Sequence, residues 1–271
     1  IPMKNPLIIN PKQEANKIIC FLKKTFKEQK IDKVVLGLSG GIDSTTALYL
    51  LKEFLPAKNI FAVQMDYNPR KKLDIDLKEI NVVNVSIKKI VDQFKVEDKN
   101  KIRLGNIMAR VRMIILFDLA KQLNALVCGT ENKSEHLLGY FTRFGDSASD
   151  IEPISHLYKT QVRQLADFLK VPKEIINQSP TAGLWEGQTD EKEFGFTYEE
   201  ADQVLYLFKQ SYSHSRGGGN PELMDPRFHG DDTKHLKILI KKLMKDFPNA
   251  EKIFERVKKN EFKLKTPYFL K

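Results

Sequence analysis

Apolar residues recur along the chain first with a helical period and then with that of a strand. Over residues 12–29 they fall at Ala15, Ile18, Ile19, Phe21, Leu22 and Phe26, a spacing that predicts an amphipathic helix. A β-branched run, Val34-Val35-Leu36, predicts a buried strand, residues 45–54 a helix stopped by Pro56, and residues 59–66 a second buried strand. A polar stretch, 67–81, containing Pro69 and Arg70-Lys71-Lys72, separates these from a third strand at 82–86. A long periodic stretch from Gly105 to Leu123 predicts a core helix that leads into a strand at 125–128, and helical spacing returns at 160–169, 236–247 and 250–260. Strand, helix and strand in this alternation predict right-handed parallel units, hence an α/β fold whose ligand lies at the carboxyl ends of the strands.

The turn between the first strand and its helix carries the clearest chemistry. Gly37, Ser39, Gly40 and Gly41 lead into Asp43-Ser44-Thr45-Thr46. Glycines let the backbone approach an anion closely, amides at a helix N-terminus favour negative charge, and Ser39 and Ser44 add hydroxyl donors. The loop predicts a phosphate site, yet no Lys follows the glycines as a Walker A loop requires, and G-x-G-x-x-G is unmatched. Ser39 to Ser44, S-G-G-x-D-S, instead resembles the pyrophosphate loop of the N-type ATP pyrophosphatases, which cleave ATP to AMP and pyrophosphate. A carboxylate at Asp43 would repel phosphate unless a cation lay between them, which implies Mg²⁺; the plainer reading of Asp43 is a helix N-cap.

With 271 residues the chain can bury the core of one large α/β domain, and a single domain over residues 1–271 is expected. The net charge of +10 suits anionic ligands without choosing among them, because much of it lies in scattered lysine pairs such as Lys23-Lys24 and Lys241-Lys242 on helix faces. Cys20 and Cys128 lie far apart in apolar stretches without metal-ligand spacing, so both are expected to be buried, reduced thiols. No apolar run reaches the length of a membrane span and no signal peptide is recognised, so a cytoplasmic protein is expected. Residues 213–232, SHSRGGGNPELMDPRFHGDD, have neither helical nor strand period and are expected to be a flexible inserted loop. His214, His229 and His235 nearby match no common zinc spacing. Residues 179–190, punctuated by Gly and Pro and holding the single Trp185, are expected to form a lid. Arg110 and Arg112 lie among apolar residues of the long helix and each requires an anionic partner, in a structural ion pair or a ligand.

Five motifs in order, GLSGGIDS, GNIMARVRM, GTENKSEHLLGYFTRFGD, DIEPISHLYKTQVR and PTAGLWEGQTDE, make the chain similar to the ammonia-dependent NAD synthetases over nearly its whole length outside the inserted loop. The resemblance implies the Rossmann-like, adenine nucleotide alpha hydrolase-like sheet and a ligase that adenylates the carboxylate of deamido-NAD with ATP, releases pyrophosphate, and forms the amide of NAD when ammonia displaces AMP. By the same resemblance Gly37, Leu38, Ser39, Gly40, Gly41, Ile42, Asp43 and Ser44 bind the phosphates of ATP, Asp43 and Glu135 hold Mg²⁺, and Thr130, Lys159 and Thr181 also contact ATP. Asp43 and Lys159 are the catalytic candidates. Arg110, Arg143, Asp150 and Lys263 are implied to contact deamido-NAD, and Arg112 is left to a structural ion pair. The family commonly has Lys where Arg143 stands, and a Glu-His-Lys tail where this chain reads Glu261-Phe262-Lys263. It also usually has a longer segment at 67–81. A homodimer with the helix at 105–123 as contact element is implied, with free ammonia as nitrogen donor because no amidase region is present.

Two other readings compete. The same loop serves tRNA thiolases and lysidine-type tRNA modifiers, but no cysteine pair or RNA-binding module accompanies it, so neither nucleic acid nor membrane is an expected partner. A binding homologue with impaired catalysis is suggested only by the short 67–81 segment, the insertion and the altered tail, and the metal and phosphate positions are intact.

Overall fold

The computed structural model describes residues 7–68, 75–95, 100–181, 183, 187–215 and 233–265, without the side chains of 211–215 and 233–237. The polar segment's residues 69–74, Trp185 and residues 216–232 of the expected insertion lie outside them, as do the side chains of His214 and His235. The chain opens with α1 (Pro11–Gln29), capped by the Asn10 side chain and started by a proline in the first turn. It continues with β1 (Val34–Gly37), α2 (Ile42–Lys52), β2 (Ile60–Asp66), β3 (Asn81–Ser86), α3 (Lys88–Asp92), α4 (Lys101–Leu123) and β4 (Leu126–Cys128). The remainder is helical: α5 (Lys133–Leu138), α6 (Lys159–Phe168), α7 (Lys173–Ile176), α8 (Asp190–Phe194), α9 (Tyr198–Ser215), α10 (Thr233–Leu243) and α11 (Ala250–Asn260), followed by a 3₁₀ turn, Glu261–Leu264.

The four strands form one sheet in the order β3-β2-β1-β4, and every pairing is parallel. β1 sends its crossover helix α2 to β2 on one side, while its other neighbour, β4, arrives after α4. The order therefore reverses beside β1, the place where parallel sheets open a crevice for ligands. One face of the sheet packs on α1, α2 and α6 through Leu22, Phe26, Leu48, Leu51 and Leu165, and the other packs on α4 through Val35, Val63, Met108 and Val111. A second cluster, built by Tyr198, Ala201, Val204, Ile253, Phe254 and Val257, joins α9 and α11 and covers α5. It places the chain's last helices against the end of the sheet where β4 delivers its loop.

Three expectations shift. The crossover helix begins at Ile42 with Gly41 as its cap, so Asp43 lies inside the first turn and is not the N-cap. Helix α9 continues to Ser215, which takes residues 213–215 out of the expected loop. Cys20 is exposed whereas Cys128 is buried, because the buried stripe of α1 runs through Ala15, Ile18, Leu22 and Phe26 and Cys20 points about 200° away from Ile18.

Candidate active site

A cavity of about 770 Å³ lies at the carboxyl ends of β1, β2 and β4, lined there by Gly37, Val63, Met65, Val127 and Cys128. Its size is that of small-molecule sites in general, roughly 300–1,000 Å³. All eight residues from Gly37 to Ser44 line it, together with Thr130, Glu135, Lys159 and Thr181, so every position expected to contact ATP faces one space.

The loop is held open by its own hydroxyls. Leu38 N–H donates to the Val63 carbonyl at 2.9 Å, which ties the loop's start to β2. Gly40 takes φ +81°, a conformation glycine adopts without a Cβ penalty. Gly41 N–H donates to Ser39 Oγ at 3.3 Å, and Ser39 Oγ lies 3.0 Å from Ser44 Oγ. Since the cap residue Gly41 brings no side chain, the first-turn amides of α2 are left for an anion.

Opposite the loop, Lys159 is 2% exposed and is gripped by two carboxylates. Its Nζ donates to Asp43 Oδ2 at 2.5 Å and to Glu135 Oε1 at 3.0 Å, and lies 5.3 Å from the Tyr198 ring centroid. Burial works against the ammonium, but the Asp43 and Glu135 charges more than offset it and raise its pKa. For Glu135, burial dominates over the attraction of Lys159, and Asp43 adds repulsion, so its carboxyl is pushed up to about 8. Asn132 organises the group: its Nδ2 donates to Asp43 Oδ1 at 3.0 Å while its Oδ1 accepts from Glu135 N–H at 3.0 Å. Asn132 and Glu135 thus form the capping box of α5, and the cap that starts this helix also aims Glu135 at Lys159.

The next ring of residues was not singled out by sequence. Asp202, fully buried on α9, accepts from Ser134 Oγ and from Thr160 N–H, the latter at 2.9 Å, while Ser134 Oγ accepts from Lys159 N–H at 2.9 Å. Burial pushes the Asp202 carboxyl up to about 6. Asp190, 3% exposed, lines the cavity, accepts from Tyr198 Oη at 3.1 Å, and is pushed up by burial. Its N–H donates to the Pro180 carbonyl at 2.9 Å, which pins together the ends of the stretch expected to be a lid. Asp146 faces the cavity from an exposed position and accepts from Thr142 N–H at 2.7 Å. Asn132 and Glu135 carry a sequence signal, the N-x-x-E cap pattern, and Asp190 lies in the PTAGLWEGQTDE motif without a role assigned to it; Asp202 carries no signal, because only tertiary packing brings it near Lys159.

The four positions expected to contact deamido-NAD gather less tightly, and none lines the cavity. Arg110 Nη2 donates to the Arg143 carbonyl at 3.3 Å, so the two arginines meet beside Thr142, Gly145 and Asp146, which do line it. Asp150 Oδ2 accepts from Val127 N–H at 2.7 Å, extending the edge of β4. Lys263 Nζ donates to the Gly139 and Phe141 carbonyls at 2.6 and 2.8 Å. Arg112 donates its Nε to the Met65 carbonyl at 3.1 Å and lines the cavity.

A parallel α/β sheet with a glycine-rich, lysine-free loop at its switch point, facing a carboxylate-ammonium-carboxylate group, defines an α/β nucleotide-binding enzyme. The family model for NAD synthase matches residues 14–219, and the chain belongs to that family. The NH(3)-dependent NAD(+) synthetase of Fusobacterium nucleatum is 46% identical over 211 residues, 74% of this chain and 82% of that protein. Among solved structures, an NMN synthetase from Francisella tularensis superposes with TM-score 0.73 at 31% identity, covering 97% of this chain and 99% of that one. An NH3-dependent NAD synthetase from Campylobacter jejuni, in complex with the nitrate ion, superposes with TM-score 0.71 at 30% identity, covering 97% of this chain and 100% of that one.

Proposed function

We infer that this chain is a carbon–nitrogen ligase that uses ATP and ammonia to convert deamido-NAD to NAD through an adenylated carboxylate. The observation that carries the reading is the meeting of the Gly37–Ser44 loop with Lys159, Asp43 and Glu135 in a single cavity. A carboxylate is a poor acyl donor; transferring AMP to it supplies a leaving group, which needs two anions positioned and the charge developing on phosphate neutralised. The loop amides and the Ser39 and Ser44 hydroxyls hold the phosphates. Lys159, already cationic and dry, turns its ammonium to the oxygens that gain charge as the α-phosphorus is attacked. Ammonia then adds to the acyl carbon, AMP departs with one of the original carboxylate oxygens, the added nitrogen releases one proton to solvent, and the amide remains.

Asp43 and Glu135 would hold magnesium. Their fit is supported by the cation they already share, the Lys159 ammonium between them. Two carboxylates suit an ion that takes its other oxygens from phosphate and water. When bound, the ion supplies neutralisation of polyphosphate charge.

Arg110 and Arg143 form no ion pair among the described residues although they lie together, and a dinucleotide's diphosphate would complement both. The homodimer is supported by the exposed face of α4, where Ile114, 61% exposed, stands one turn from Arg110. Among the described residues no helix is long and apolar enough to cross a membrane, and the cytoplasm, where ATP is available, is the proposed location.

Pyrophosphate release, followed with ATP, magnesium, ammonium and deamido-NAD and with each omitted in turn, tests the reading. The likeness to an NMN synthetase favours one competitor, the corresponding mononucleotide acid. Turnover with deamido-NAD well above that with the mononucleotide is expected; the reverse preference would reassign the substrate.

A further inference from the structure

The 3₁₀ turn Glu261–Leu264 lies against the segment 139–146, which lines the cavity through Tyr140, Thr142, Gly145 and Asp146. Two contacts fasten it. Lys263 Nζ is engaged by the Gly139 and Phe141 carbonyls and lies 5.3 Å from the Phe141 ring centroid, so this cation braces the segment's start. Burial lowers its pKa. The second contact involves the neighbouring residue. Phe262, 46% exposed, presents its ring to the Arg143 guanidinium, with Cζ 5.1 Å from the ring centroid.

We propose that Phe262 is a positioning residue that holds the Arg143 guanidinium at the cavity rim, where it receives the anionic dinucleotide. The proposal rests on the assignment of Arg143 to deamido-NAD. A long, half-buried Arg side chain samples many rotamers, and ordering it costs free energy when the ligand arrives. A ring face within about 6 Å attracts the cation without occupying any of its N–H donors, so the guanidinium is held and its donors stay available. A carboxylate in that place would compete with the ligand for them. The backbone beneath is fixed from the other side by Arg110, which donates to the Arg143 carbonyl at 3.3 Å. Phe144, the next residue, has φ +56°, an unusual conformation for a bulky side chain and one that a well-determined surrounding must maintain. Arg143 is thus clamped through its carbonyl by α4 and through its guanidinium by the tail. In this chain the tail contributes an aromatic ring at the site and Lys263 acts as a brace.

The test is steady-state kinetics of the full chain with Phe262→Leu, Phe262→Trp, Arg143→Ala and the Phe262→Leu/Arg143→Ala double variant, each checked for an unchanged melting temperature. Phe262→Leu keeps apolar bulk and loses the ring. It should raise the KM for deamido-NAD about fivefold, the loss expected of a cation–π contact at a half-exposed site, while kcat and the KM for ATP stay within twofold. Phe262→Trp should hold or lower that KM. In the Arg143→Ala background Phe262→Leu should add nothing. If Arg143→Ala itself leaves the KM for deamido-NAD unchanged, the assignment of Arg143 fails. If Arg143→Ala weakens deamido-NAD but Phe262→Leu matches the parent, or weakens it equally in both backgrounds, the positioning role of Phe262 is overturned while the assignment of Arg143 stands.

Discussion

Lys159→Met removes the one cation between Asp43 and Glu135 while keeping the volume of a long unbranched side chain. Lys159 is 2% exposed, whereas the side chains of Asp43 and Glu135 are 17% and 16% exposed at the cavity, so its loss leaves two carboxylates facing one another at a partly wetted site. Breaking a buried pair by deleting one partner costs about 3–5 kcal/mol. Two features place this site at the lower end. Glu135 keeps the Asn132 N–H on its Oε2 at 3.4 Å, and Asp43 keeps the side-chain amide of Asn132 at 3.0 Å. The expected loss is therefore about 3 kcal/mol, which for a chain of this size lowers the melting temperature by roughly 6–12 °C. Millimolar magnesium should recover more of the melting temperature in the variant than in the parent, because in the parent the ammonium competes for the same two carboxylates. Turnover should fall by at least 10³-fold, since the cation facing the phosphates is gone. Calorimetry at pH 7 with and without magnesium, beside pyrophosphate release, is the assay. A variant as stable as the parent, or one that magnesium fails to stabilise, would refute the account of the triad as a cation site.

Asp202 gives a pH test. Its folded pKa of about 6 lies above the roughly 3.9 of an unfolded Asp, so its contribution is present in full below about pH 4 and is lost as pH rises through 6, by about 2–3 kcal/mol; urea unfolding of Asp202→Asn should lack that fall between pH 4 and 6, and an unchanged slope would contradict it. Gly129→Ala should destabilise by about 2 kcal/mol, because a Cβ there would overlap the Glu152 carboxylate and press on the Ser149 Cβ, and Glu152→Ala in the same chain should recover only part of the loss; denaturant midpoints that do not recover at all would place the strain elsewhere than at Glu152. Ile114→Lys should shift the proposed dimer toward monomer in light scattering, and a parent that is already monomeric at micromolar concentration would remove α4 as the contact.

How far the sequence could be read depended on how local each feature was. The strand, glycine turn and helix from Val34 to Lys52 lie within one short stretch, and the cavity takes one of its walls from them. Lys159, Glu135, Thr130 and Thr181 were reached through motif resemblance, and the fold places all four around that wall. What periodicity could not show was which polar groups the backbone would engage: Asp150 serves Val127 N–H, and Lys263 serves two carbonyls. Asp202 has no motif to mark it and approaches Lys159 only when α9 packs on α5 and α6, whereas Asp190, the first residue of α8, lies in the PTAGLWEGQTDE motif, from which the resemblance assigns it no contact. For Cys20 an apolar neighbourhood in sequence did not mean burial, since helical rotation carries it off the stripe.

The central claim, that this loop directs attack on the α-phosphorus of ATP, is tested most directly with deamido-NAD carrying ¹⁸O in its carboxylate. Phosphorus NMR of the products should show the label in AMP and none in pyrophosphate, as transfer of AMP to the acid requires. Label in a β- or γ-derived phosphate, or an AMP peak without an isotope shift alongside formed amide, would contradict it.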